Sequence, residues 1–564
     1  MKRKLFKAYF LIRRKISSRL FYFIERVFVF AYSHKINKVN YRLKHYYFEP
    51  IEVQLGQNIS NRQDELQRLT EAYRKNELNN FIKSTIKLER NKAYRWNAFY
   101  PLFSLLSEQG LLHDFESNVV KKIAIEYVLN WIDEYLYKGR ANPFCWYDMA
   151  DAYRIILLHK IMLLYNNDID EKSKSIIQYA IYIHEYFILK DELLQRGNHR
   201  IFQILARLSI HTLRENHDFL EIERERVINL FYSQFSKEGF HVEHSPEYHL
   251  WANCIFLHII KYYNLNKLEK QISLVTERSN LFFTPDGNIP LIGDSGLDNL
   301  ESYKKQIYQN KPSYGTTISN DYVISISQKV GWYFISLNSS NSMIHKHRDS
   351  STFELFIFGK KILTDCGKYS YTKSEFNKLI RAEESHNISY IKKEPSIFST
   401  QTYKLVSHEK KNNIEIISIQ AGSKNMIHTR SFIHNFIDHL IVVDIIDEQN
   451  ENLFTNLNLV NGDTYKLEQS EENQAVYFSN EMDIEISFHN IHSSNTKKTN
   501  LSKFYGELYE DISLQACSKN NMIITSVCSG KKNRIKDNLK NNFLLELDNE
   551  NIIISANGTC WVVK

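Results

Sequence analysis

The hydrophobic period changes once along this chain, and that change constrains the fold more than any other feature. Between about residue 60 and residue 285, segments such as "RQDELQRLTEAYRKNELNNFIKSTIKL", "NVVKKIAIEYVLNWIDEYLY", "EKSKSIIQYAIYIHEYFILKDELL" and "EIERERVINLFYSQF" place apolar residues three and four apart. That is the period of one helix face. After about residue 320, short β-branched and aromatic runs take over: "DYVISISQ", "GWYFISLN", "FELFIFGKKILTDCG", "HLIVVDIID", "NLFTNLNLV" and "NIIISANGTCWVVK". Polar turns separate them, as in antiparallel strands. Helices first and strands second predict an all-α body followed by an all-β one. Short polar breaks between the helices predict stacked helical hairpins, as in a toroid or solenoid, although no fixed-length repeat is present. The strands predict an antiparallel β-sandwich. The expected domains are a basic extension over 1–60, a helical domain over 61–315 and a β domain over 316–564. The turn-rich "TPDGNIPLIGDSG" (Thr284–Gly296) marks the approach to the joint. A chain of 564 residues exceeds what one hydrophobic core supports.

Charge is unevenly placed. Residues 1–45 hold thirteen Lys/Arg against one acid, Glu25, a balance of +12, so a total of +7 leaves −5 for the remainder. A near-neutral body with a basic extension does not match the basic face of a nucleic-acid binder. The extension has no uninterrupted apolar stretch and small-residue cleavage site of a signal peptide, and its uncharged runs are too short for a membrane span. Two outcomes are expected for it. A basic, aromatic-rich helix can lie on an anionic membrane surface, and residues 1–45 would then make peripheral membrane contact. Alternatively it is a first helix packed on the domain with its bases solvated. The six cysteines carry no CxxC pair, which indicates neither a disulfide framework nor a thiolate zinc site. A reducing, cytoplasmic setting, with peripheral contact at the inner membrane, is the simplest expectation.

Four patches concentrate polar chemistry. "NPFCWYDMADAYR" contains Trp146 and Arg154, and "RGNHRIFQILARL" places Asn198 and His199 at the head of a helical stretch. "EGFHVEHSPEYHLW" packs His241, Glu243, His244, Tyr248 and His249 into nine positions. "MIHKHRDSSTFELFIFGKKILTDCGKYSY" carries His345, His347 and Asp365, and "RAEESHNISY" follows with His386. Each has a plain structural alternative. Asn198 is a reasonable N-cap. His345 and His347 could be alternate residues on one face of a strand. His347, Asp365 and His386 form a sparse nitrogen and oxygen ligand set, and spacing alone does not make it a metal site.

Taken in order, a helical body, "NH", "EGFHVEHSPEYH", the "HKHRDSSTFEL…LTDCGKYSY" hairpin and a later "HN" resemble the heparinase II/III-like polysaccharide lyases. The alginate and oligo-alginate lyases of similar architecture belong to the same group. The resemblance covers roughly residues 90–460, with "EGFH" standing for the usual "DGxH" and "STFEL" for "SFxL". It implies an (α/α) toroid joined to a β-sandwich and an acidic polysaccharide substrate cleaved by β-elimination at a uronic acid. Asn198 and His199 would then bind and neutralise the uronate carboxylate. Tyr248 would act as base, acid or both in turn, and His345 as the other proton-transfer or charge-stabilising group. Trp146, Arg154, Glu243 and His244 would bind substrate. His347, Asp365 and His386 would hold one divalent structural metal, zinc first and calcium second. Such an enzyme suits capsule or O-antigen polysaccharide metabolism. The rival readings are a uronate C5-epimerase, which needs the same C5 deprotonation, and a non-catalytic glycan-binding or assembly protein.

Overall fold

Helices run from Lys2 to Ile307 and strands from Tyr314 onward, with the short helix Glu375–Ile380 set among them. This is a computed structural model, describing residues 2–35, 59–88, 90–106, 117–308, 314–339, 345–371, 374–392, 398–423, 426–447, 451–471, 473–518, 521–530, 535–538, 542–547, 550–554 and 560–563. The change of element type falls where the change of period predicts it. The fold is an α-helical toroid part followed by antiparallel sheets. The chain divides into two compact units: Met1–Gln234 with Cys254–Lys270, and Phe235–Asn253 with Gln271–Lys564.

In the helical unit, helix Asp148–Tyr165 is buried at every position from Ala150 to Met162. A helix buried on all sides, polar residues included, lies inside a bundle, and helices Glu171–Ile188 and Asn198–Leu213 both pack against it. Helix His217–Gln234 packs in turn on Asn198–Leu213. Local signals set the ends: Asp170 caps its helix by accepting from the Ser173 amide at 2.9 Å. Asn198, offered above as an N-cap, does not cap. Gly197 holds that position with φ 65°, a left-handed entry glycine makes without strain, and Asn198 and His199 become the first two helical residues.

Two N-terminal helices, α1 (Lys2–Lys15) and α2 (Arg19–Ser33), belong to the same unit. Arg13 of α1 and Glu25 of α2 are both fully buried and pair at 3.0 Å, and the Tyr9 hydroxyl donates to Glu25 at 2.7 Å. The Arg13 guanidinium also donates to the Tyr135 and Arg140 carbonyls. Phe187 stacks on Tyr9 and meets Phe6, Phe10 and Phe28 edge to face. The described part of the extension is thus a helical hairpin with a packed inner face; residues 36–58 lie outside the described residues.

The second unit carries a five-stranded antiparallel meander, β1 (Tyr314–Ile318), β2 (Tyr322–Ser327), β3 (Trp332–Leu337), β4 (Phe353–Ile357) and β5 (Lys360–Leu363). It also holds an eight-stranded and two four-stranded antiparallel sheets. Trp332, Phe334, Phe353 and Leu355 of the meander share one core with Phe432, Leu440, Ile486 and Val527 of the eight-stranded sheet. Face-to-face sheets with interdigitated inner side chains make a sandwich. The "FGKK" turn closes β4 on β5 through Phe358 (φ 51°) and Gly359 (φ 76°), so Leu355 faces Leu363. Two positive φ angles in a two-residue loop match the twist of the flanking strands. The turn returns the chain to Asp365, next to the site.

Candidate active site

The segment that carries His345 and His347 is a bend, so the alternative of alternate residues on a strand is not realised. Arg381 holds the bend: its Nη2 donates to the Lys346 carbonyl at 2.6 Å, and the Arg348 amide donates to the Arg381 carbonyl at 3.1 Å. The Asp294 amide donates to the His345 carbonyl at 3.2 Å, and His345 takes φ 57°. Both imidazoles then meet a single carboxylate. His345 Nδ1 bonds Asp294 Oδ2 at 2.7 Å, and His347 Nε2 bonds Asp294 Oδ1 at 2.8 Å. Arg381 Nη1 adds a third contact at 3.2 Å. Burial opposes charge on Asp294, yet the hydrogen bonds from His345 and His347 hold its carboxyl well below the usual range. The two histidines, expected to serve separate sites, are coupled through Asp294.

Tyr248 faces this pair. Pro246 opens helix Pro246–Tyr262, where a missing N–H costs nothing, and Ser245 Oγ accepts from the Tyr248 amide at 3.3 Å. Glu247 anchors the same turn by accepting from Lys368 Nζ at 2.8 Å and the Gly296 amide at 2.7 Å. The Tyr248 ring stacks on His345 with centroids 4.0 Å apart, and its hydroxyl bonds the Tyr371 hydroxyl at 2.7 Å. Burial, and next the Asp294 carboxylate, push the Tyr248 phenol well above its ordinary value. The phenol is therefore a proton carrier, not a phenolate. His345 directs Nδ1 at Asp294, and its Nε2 lies 3.8 Å from Glu243 Oε2. His244 is buried with φ 56°, and burial pushes its imidazole down to about 3, so it is neutral. His249 bonds Ser279 Oγ at 2.9 Å and is part of the packing.

Behind His347 lies a buried cluster. His347, Cys366 and His386 offer ligand atoms within 4.8 Å of one another, and so do Asp349, Asp365 and His386. Asp365, expected as a ligand, commits Oδ1 to His386 Nδ1 at 2.6 Å and accepts from Thr352 Oγ1 on Oδ2 at 2.8 Å. His347 Nδ1, His386 Nε2 and Asp349 Oδ2 are buried and have no hydrogen-bond partner. Buried polar atoms are normally satisfied, so these three orphans mark the cluster as able to take a divalent ion, with His386 common to both groups of ligand atoms and Asp365 among them.

The helical unit holds the remaining expected residues. His199 Nδ1 bonds Asp148 Oδ1 at 3.0 Å, leaving a ring that is partly exposed. Trp146 and Asp148 line a cavity of about 270 Å³ together with Lys7, Phe10, Arg14 and Tyr147. Arg154, expected to bind substrate, is fully buried. Its Nη1 donates to the carbonyls of Asn97 at 2.6 Å and Phe144 at 3.1 Å, and its Nη2 to that of Cys145. Its guanidinium serves the fold.

Sequence reasoning missed Asp294, Tyr371 and Asp148. Asp294 lies in the "GDSG" segment read as a turn, where a carboxylate between two glycines was the available signal. Tyr371 ends the "DCGKYSY" run; nothing in the spacing pairs it with a residue 123 positions away.

Comparison with known proteins agrees with this architecture. The family profile described as "Heparinase II/III N-terminus" matches residues 115–317, and that described as "Heparinase II/III-like, C-terminal" matches residues 331–556. A heparin-sulfate lyase of Pedobacter heparinus is 22% identical over 375 residues, covering 57% of this chain and 56% of its own. The chain therefore spans little more than half the length of that curated relative. The crystal structure of a mutant heparan sulfate lyase HepC from Pedobacter heparinus superposes with a TM-score of 0.57 at 17% identity, over 88% of this chain and 96% of that one. The crystal structure of a heparinase III superposes with a TM-score of 0.62 at 15% identity, over 88% and 97%. At such identities the structural likeness establishes the fold. With both profiles matched in order, the chain belongs to the heparinase II/III-like family.

Proposed function

We propose that this member of the heparinase II/III-like family is a polysaccharide lyase that cleaves a uronic-acid-containing acidic polysaccharide by β-elimination. One observation carries the reading. A protonated phenol, Tyr248, lies stacked at 4.0 Å on an imidazole, His345, whose Nδ1 is held by a buried carboxylate. Elimination needs that pairing: one group to take the C5 proton and another to give a proton to the departing C4 oxygen. In our reading the C5–H bond breaks toward His345 Nε2, the C4=C5 double bond forms, and the C4–O bond breaks as Tyr248 Oη protonates the leaving oxygen. Proton return from His345 to Tyr248 through solvent resets the pair. Asp294 keeps His345 in the tautomer with a free Nε2 and stabilises the imidazolium that forms. Glu243, 3.8 Å from that nitrogen, adds a second negative charge to the same end.

The charge that develops on the uronate carboxylate needs donors placed where it appears. Asn198 and His199 take that role by family resemblance, and the Asp148 contact at 3.0 Å supports it by orienting His199. A divalent ion, zinc first and calcium second, would be held within the buried cluster of His347, Asp349, Asp365, Cys366 and His386 and would supply a fixed positive charge bracing the bend that carries His345. The names of the relatives, heparin-sulfate lyase and heparinase III, support a sulfated or carboxylated glycan as the substrate class. The test is incubation with a panel of uronate polysaccharides, capsule and O-antigen polymers included. Ultraviolet absorbance of the unsaturated product and deuterium exchange at C5 are followed together. Unsaturated product supports the reading. Exchange with inversion at C5 and no unsaturated product identifies a C5-epimerase, and neither signal on any polymer overturns the assignment.

A further inference from the structure

The hairpin α1–α2 has a second apolar face, and it points away from the protein. Its inner face holds Arg13, Phe21 and Glu25, all buried. On the outer face Leu5, Ile12 and Ile16 follow one helical stripe in and just after α1, and Leu20, Phe23, Val27 and Phe30 follow another in α2. Spacings of three, four and seven keep each set on one side. Leu5 is 62%, Phe23 65% and Phe30 66% exposed, values at which a large apolar side chain is left in water. Single exposed apolar residues are ordinary, whereas a contiguous apolar surface marks an interaction site.

The charges say what covers it. Lys4, Lys15, Arg19, Arg26 and Lys35 are exposed around these stripes. The one acid of the hairpin, Glu25, is buried against Arg13 and contributes no outward negative charge. An apolar stripe flanked by bases and free of acids is complementary to an anionic bilayer surface, with aromatic and aliphatic side chains entering the acyl boundary and bases meeting phosphates. The Arg13–Glu25 pair and the rings around Phe187 fasten the hairpin to the helical unit, so the face is presented by a docked element. Among the described residues no helix is long and apolar enough to cross a membrane. We infer that the outer face of α1–α2 docks the protein onto an anionic lipid surface, lying in its interface.

The experiment sediments the full-length chain with vesicles of phosphatidylcholine alone and of phosphatidylcholine mixed with phosphatidylserine. Binding is expected only to the mixed vesicles and falls as salt rises. Each exposed base changed to Gln lowers the partition roughly fivefold. Phe23→Glu with Phe30→Glu lowers it by at least about tenfold, while Phe219→Glu, an exposed phenylalanine elsewhere in the helical unit, leaves it unchanged. Melting temperature and helical circular dichroism of each variant show that the fold persists. Equal binding to both vesicle types, or no loss in the double variant, overturns the inference. So does a dimer in the absence of lipid that the double variant dissociates, because the face would then be covered by a second copy of the chain.

Discussion

Removing the hydroxyl of Tyr248 while keeping its ring separates the two proton transfers. In Tyr248→Phe the stack on His345 at 4.0 Å and the packing of helix Pro246–Tyr262 remain, and only the phenolic proton and the 2.7 Å bond to Tyr371 are lost. One hydrogen bond between half-buried hydroxyls contributes on the order of 1 kcal/mol, so the fold persists with a small drop in melting temperature. Loss of a positioned general acid costs about a hundredfold to ten-thousandfold in turnover, or about 3–5 kcal/mol of transition-state stabilisation. The KM for the polymer stays nearly constant, because the ring and the carboxylate-binding groups are unchanged. The assay reads unsaturated product by absorbance and, on the same samples in deuterium oxide, exchange at C5. With His345 as the base, Tyr248→Phe still exchanges the C5 proton while elimination collapses. Loss of exchange together with elimination would show that Tyr248 is the base and refute the division of labour. Near-normal elimination would remove Tyr248 from the chemistry altogether.

Asp294→Asn should lower turnover by about ten- to a hundredfold, as expected for loss of a group that orients a catalytic imidazole. Its signature is a fall in kcat with KM unchanged. For the metal, elemental analysis of the purified chain should give one divalent ion, lost in His347→Ala and in His386→Ala together with melting temperature. His345→Ala should retain the ion while losing activity, and a wild-type chain without metal, or equal loss in all three variants, removes the site. The helical unit should weaken in acid through Glu185. Burial opposes its charge, but the hydrogen bond from His159 and the Arg214 guanidinium outweigh that and hold the carboxyl below its ordinary value. A depressed carboxyl contributes stability that is present above the unfolded pKa of about 4.3 and is lost as pH falls through the folded value. Thermal melts of Glu185→Gln should therefore be less stable than wild type at neutral pH and converge with it in acid; a constant gap at all pH values refutes the linkage.

The order of helices and strands was legible in the sequence because periodicity is local: a helix face repeats over a few residues, and "IIQYAIYIHEYFI" or "HLIVVDII" declares itself without reference to the rest of the chain. The β4–β5 hairpin was legible for the same reason, since "FGKK" between two apolar runs is a turn wherever it occurs. The residue types of the site, Tyr248, His345, His347, Asp365 and His386, could also be named. Their wiring could not. Asp294 meets His345 and His347 across 51 and 53 residues, and Tyr371 reaches Tyr248 across 123. No local period encodes such a separation, because the packing of whole elements decides it. The same holds for Arg154, whose charge reads as a ligand for an acidic glycan until the fold surrounds it with carbonyls. It holds for the basic N-terminus as well. Sequence supplied its charge and its aromatic residues, but only the burial of Glu25 against Arg13 turned one face inward and left the other, apolar and purely basic, toward the outside.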